Sequence, residues 1–117
     1  FLKLKKIFDV CDIITLHLPK NDKTKGIIDK KVLPKKSKKI ILINTSRGDI
    51  INEKDLISFL KKNHNSIACL DVFQKEPYKG ILTRLNNVIL TPHVSGYSQE
   101  TRQLMEIEAV KNITNGI

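Results

Sequence analysis

The sequence has no tryptophan, few aromatic residues of any kind (5%), and only two cysteines, Cys11 and Cys69, neither in a CxxC pair. Two cysteines cannot make a disulfide framework. The three histidines and two cysteines sit on different segments without ligand spacing, so no metal site is expected. Such sparing use of cysteine predicts a reducing cytoplasm. No apolar run exceeds four residues, the length of Ile40–Ile43, whereas a membrane-spanning helix needs about 20. No signal-type apolar core opens the chain, because Phe1–Lys6 already holds three lysines. The five glycines are Gly26, Gly48, Gly80, Gly96 and Gly116, and no two stand two apart. A G-x-G-x-x-G turn, the usual cradle for a pyrophosphate, therefore has no place in these residues.

What the chain does have in excess is positive charge. It has 117 residues with 21 Lys+Arg against 12 Asp+Glu, for a net charge of +9. All but Arg47, Arg84 and Arg102 of those basic residues are lysine, and Lys35, Lys36, Lys38 and Lys39 crowd one stretch. Nucleic-acid surfaces interleave arginine and aromatics with their lysines. With both scarce, a solvated lysine-rich surface is the reading, and neither a nucleic acid nor a membrane is expected as partner.

Four short apolar segments punctuate the chain: Ile13–Leu18, Ile40–Ile43, Ile67–Val72 and Val88–Leu90. They are continuous more than alternating, as in parallel strands buried on both faces. Their spacing leaves room for a crossover between each pair, as parallel pairing requires. Asn52 can cap a helix that buries Leu56, Phe59 and Leu60, with Asn63 closing it. Ser98 can cap another that presents Leu104 and Ile107 and reaches about Asn112. Residues 24–33 predict a short helix ended by Pro34, and Leu2–Phe8 the end of an earlier one. The fold class expected is α/β: a parallel-sheet, Rossmann-type half-domain of about four strands with flanking helices. A four-stranded parallel sheet would leave two long apolar edges, which natural proteins avoid, so the first strand is expected to want a neighbour.

Ligands of open parallel sheets bind beyond the carboxyl ends of the strands. There the sequence places His17-Leu18-Pro19, Asn44-Thr45-Ser46-Arg47-Gly48, Asp71-Val72-Phe73-Gln74-Lys75-Glu76-Pro77, and Thr91-Pro92-His93-Val94-Ser95-Gly96. The N-x-S-R-G, L-D-V-F-x-x-E-P and T-P-H-x-x-G runs, in that order, resemble the D-isomer-specific 2-hydroxyacid dehydrogenase family. The resemblance covers Cys11 to about Asn112. It implies that residues 1–117 are the C-terminal half of a dinucleotide-binding domain. The glycine-rich loop, the acidic residue that reads the adenosine ribose, and the substrate domain would then lie outside this chain, and the isolated piece would be inactive.

The activity so implied is an NAD(H)-dependent oxidoreductase, NADP(H) not being excluded. It would transfer hydride between the nicotinamide and a D-2-hydroxy acid or 2-keto acid, in a protein that is a homodimer at full length. By the same resemblance Arg47, Glu76 and His93 are catalytic. His17, Leu18, Pro19, Thr45, Ser46, Arg47, Asp71, His93 and Gly96 would adjoin the cofactor, with Asp71 accepting from the nicotinamide carboxamide. An alternative for Asp71 is a strand-end carboxylate that caps a neighbouring loop. The chemistry suits these residue types. A guanidinium grips a carboxylate through a planar fork that lysine does not reproduce. An imidazole titrates near neutrality and can protonate a developing alkoxide. A carboxylate such as Glu76 orients that imidazole and favours its charged form. His17 is the rival proton donor. A non-catalytic NAD-sensing or corepressor-like module on the same scaffold is the alternative function, since fold alone does not fix activity.

Overall fold

The computed structural model describes residues 1–35 and 38–115; Lys36 and Gly116, counted above for charge and glycine spacing, lie outside them. The order of elements is α1 (Leu4–Val10), β1 (Ile13–Leu16), β2 (Ile41–Asn44), α2 (Glu53–Lys62), β3 (Ile67–Leu70), β4 (Val88–Leu90) and α3 (Gln99–Thr114). Two 3₁₀ turns, Gly48–Ile50 and Ile81–Arg84, complete it. The strands form one sheet in the order β1-β2-β3-β4, every pair parallel. All four carboxyl ends therefore share one edge, which is where the polar motifs emerge.

The helix caps fall where the sequence puts them. The Asn52 side chain accepts from the Asp55 amide, and Asn63 closes α2. The buried residues of α2 are Leu56, Phe59 and Leu60, a single face at i, i+3 and i+4. Acidic residues stand in its first turn and Lys61 and Lys62 in its last, both favourable to the helix dipole. Lys38 shows that not all the lysines are surface charge. Its ammonium donates to the carbonyls of Asp9 at 2.9 Å and Cys11 at 2.8 Å, tying the exit of α1 to the entry of β2.

Three expectations need correction. Residues 24–33 form turns, not a helix. Gly26 takes φ +62°, and the Asn21 side chain accepts from the Lys23 and Thr24 amides while Asp29 does the same for Lys31 and Val32. These local bonds outcompete helical ones, and they allow Ile28 to bridge in parallel to Ile51 and bury completely.

The strands are also not buried on both faces. Burial alternates along β1, β2 and β3. The registered rows Ile14–Leu42–Ala68 and Leu16–Asn44–Leu70 face the core formed with α2. On the other face Ile13 is 64% and Ile89 59% exposed, and Ile41, Ile43, Ile67 and Cys69 are only part-buried. The sheet edges are short, four residues in β1 and three in β4, rather than long. α3 starts at its Ser98 cap as expected, runs to Thr114, and buries none of its residues.

Candidate active site

The turn after β2 is set by a fully buried Asn44. Its amide nitrogen donates to the Arg47 carbonyl at 2.9 Å, and its oxygen accepts from the Ser46 amide and hydroxyl at 3.1 and 2.9 Å. A buried amide with all these partners fixes the backbone under Arg47 while leaving the guanidinium exposed. The next residue, Gly48, presses on the following loop: a Cβ there would overlap the backbone of Phe73. The turn that carries Arg47 and the turn that leads to Glu76 can pack together only because residue 48 has no side chain. Gly48→Ala is therefore expected to lower the unfolding free energy by about 1–3 kcal/mol, the cost of overpacking. Urea denaturation of the full-length protein measures it, and an unchanged midpoint would show that the two turns can separate freely.

After β3 the chain forms a compact turn. The Phe73 amide donates to Glu76 Oε1 at 2.9 Å, and Glu76 Oε2 lies 2.8 Å from His93 Nδ1. The hydrogen bond from His93, together with that from the Phe73 amide, holds the Glu76 carboxyl below its ordinary range. Glu76 is thus the ionised acceptor, Nδ1 carries the proton, and Nε2 is the nitrogen left for chemistry. His93 is half exposed in its side chain and sits at φ +57°, the one non-glycine residue in the left-handed region among those described.

Asp71 behaves differently from its neighbours. It is 3% exposed. Its Oδ1 accepts from the Thr91 hydroxyl and from the Val94 amide at 2.8 Å, and its Oδ2 accepts from the Ser95 amide at 2.9 Å. Burial pushes the Asp71 carboxyl up, but these hydrogen bonds outweigh it and hold it at about 2.

Arg47, Glu76 and His93 line one open cleft of about 740 Å³, with Thr45 and Gly96 on its walls. A second hollow of about 500 Å³ is lined by His17, Leu18, Pro19 and Ser46 and shares Arg47 with the first. The motif residues thus converge from four separate segments, except Asp71, which lines neither hollow and lies beneath the 91–95 turn. His17 is apart from the histidine–carboxylate pair, its ring meeting the Thr15 hydroxyl at 2.9 Å. Sequence reasoning missed Asn44, Thr91, Val94 and Ser95 as organisers. Val94 and Ser95 act through backbone amides, which leave no side-chain signature. Also missed were Tyr97 and Arg102 on the cleft wall, the guanidinium 6.0 Å from the ring centroid.

An all-parallel sheet with a histidine–carboxylate pair and an exposed guanidinium at its carboxyl edge defines the class: a Rossmann-like α/β half-domain. Residues 1–95 match the family described as D-isomer specific 2-hydroxyacid dehydrogenase, NAD binding domain, and the chain belongs to that family. Among relatives, a glyoxylate reductase of Korarchaeum cryptofilum is 35% identical over 115 residues, which is 97% of this chain and 35% of the relative. A hydroxypyruvate reductase of Blautia hydrogenotrophica is 36% identical, covering 97% of this chain and 36% of its own length. Among solved structures, the acyclic imino acid reductase Bsp5, in complex with NADPH and D-Arg, superposes with a TM-score of 0.85 at 36% identity. That match spans 97% of this chain and 36% of the reductase. The chain therefore spans about a third of the length of the relatives it matches. Among the described residues no helix is long and apolar enough to cross a membrane.

Proposed function

We propose that this chain is the cofactor-side half of the active site of an NAD(P)(H)-dependent 2-hydroxyacid dehydrogenase, reducing small 2-keto acids. On this reading it works within a longer polypeptide that supplies the pyrophosphate loop and the substrate domain, and whose protein partner is a second copy of itself. The observation that carries the reading is the His93–Glu76 pair at 2.8 Å in a cleft shared with the Arg47 guanidinium.

The residues present fit a nicotinamide. The hollow at the ends of β1 and β2 combines the apolar Leu18 and Pro19 with polar Ser46 and shares Arg47 with the cleft that His93 lines. His17, Leu18, Pro19 and Ser46 would hold the group there, with Thr45 and Gly96 on the adjoining cleft, and when bound it supplies the hydride. The chain's own residues do the rest. Arg47 binds the substrate carboxylate and draws charge from the adjacent carbonyl. His93 Nε2 donates a proton to the carbonyl oxygen as negative charge develops on it, yielding the hydroxyl. Glu76 holds Nδ1, fixes the ring's orientation, and stabilises its charge until the proton leaves. In the oxidative direction Nε2 takes the hydroxyl proton back.

The full-length protein, mixed with NADH or NADPH and either glyoxylate or hydroxypyruvate, is expected to consume the reduced cofactor, read as loss of its near-ultraviolet absorbance. A protein that binds the cofactor and turns over no 2-keto acid would favour the sensing alternative.

A further inference from the structure

We propose that Asp71 is the positioning residue of His93: by gripping the 91–95 turn on both sides of the histidine, it fixes the imidazole where Glu76 can meet it. The contacts bracket the residue. Thr91 lies two positions before His93, and Val94 and Ser95 one and two after; all three donate to the one carboxylate. The base of the clamp is itself fixed. The Asp71 amide donates to the Asn44 carbonyl at 3.0 Å, and the Thr91 amide to the Leu70 carbonyl at 3.0 Å, so the carboxylate is tied to β2 on one side and its turn to β3 on the other.

The backbone supplies the reason a clamp is needed. A histidine at φ +57° occupies a sparsely populated region, and such a conformation persists only where the surroundings over-determine it. Released, the turn would relax toward ordinary φ, and the ring would swing away from Oε2. One short stretch of chain, residues 71–76, thus holds a single histidine by two carboxylates: Asp71 takes its backbone and Glu76 its ring. Three donors already converge on Asp71, and it is 3% exposed. Those three contacts make up the loop-capping role, and a carboxylate with about four lone-pair sites keeps one for the nicotinamide carboxamide contact that the resemblance implies.

The proposal rests on the function proposed above for its kinetic arm but not for its second arm. In the full-length protein, Asp71→Asn removes the charge and turns an amide N–H toward backbone donors, while Thr91→Val deletes one donor and leaves the carboxylate intact. Losing a hydrogen bond to a charged group should lower kcat by about tenfold to a hundredfold in Asp71→Asn and by less in Thr91→Val. NADH affinity, read by fluorescence titration, should be little changed in Thr91→Val, and Thr91→Ser should restore kcat. The second arm is amide hydrogen exchange. Val94 and Ser95 should be protected in the unsubstituted protein and lose protection in Asp71→Asn, whether or not any keto acid is reduced. Unaltered kcat in both variants, or weakened NADH binding with kcat preserved, overturns the proposal, as does exchange protection that ignores Asp71. If Asp71→Asn fails to fold, the Thr91→Val and Thr91→Ser pair decides by the same readings.

Discussion

Replacing His93 by glutamine in the full-length protein should lower turnover of 2-keto acid by about 10²–10⁴-fold, the contribution of a placed general acid. Affinity for NADH should barely move. Glutamine keeps the length and a hydrogen-bonding amide, so the cleft keeps its shape, but it has no transferable proton. Most of the dinucleotide's binding energy would come from a pyrophosphate loop that these residues do not form. Glu76→Gln should be milder and should displace the pH profile. The hydrogen bonds from His93 and the Phe73 amide hold the Glu76 carboxyl low, so Glu76 stays ionised at and above the ordinary carboxylate range and is protonated only as pH falls below it. Reduction by the unsubstituted protein should then fall on the acid side as pH drops through the lowered Glu76 value, and Glu76→Gln should lack that acid limb. Rate measurements across pH for the three proteins check both statements. Near-normal turnover in His93→Gln would remove His93 from the mechanism and return attention to His17.

The sequence carries the topology and the chemistry-bearing side chains but not the contacts that aim them. Apolar runs at regular spacing place four parallel strands correctly, because strand cores and helix caps are written in residue types. The absence of a helix at residues 24–33 is harder to see. Gly26 and the side chains of Asn21 and Asp29 are all visible, yet whether local turns win depends on the room Ile28 finds beside Ile51 in the assembled core. The one-sided burial of the sheet was illegible for a related reason. A continuous apolar run does not say whether its outer face is covered, and among the described residues α2 covers one face only. At the site, Arg47, Glu76 and His93 stand out as ionisable groups after strands. The grip of Asp71 on two backbone amides does not, since any residue type at 94 and 95 other than proline could supply those donors.

The same distinction between an aimed group and the residues that aim it governs what Arg47 should show. Arg47→Ala is expected to lower kcat/KM for 2-keto acids by about 10²–10⁴-fold, two charge-assisted hydrogen bonds at about 1.5–3 kcal/mol each. Its backbone is fixed from below by Asn44 at 2.9 Å, while its side chain is exposed and donates only to its own turn, at the Ser46 carbonyl 2.6 Å away. Reaching a substrate therefore breaks no described ion pair. Arg47→Lys should recover only part of the loss, because an ammonium keeps the charge but not the fork. The loss should fall on both KM and kcat: the guanidinium binds the carboxylate in the ground state and stabilises charge at the neighbouring oxygen in the transition state. NADH affinity measured in the absence of keto acid separates this from a purely cofactor-holding role. If that affinity falls as far as kcat/KM, Arg47 serves the dinucleotide, and the substrate's carboxylate must find its cation elsewhere on the cleft wall, where Arg102 is the nearest candidate by type.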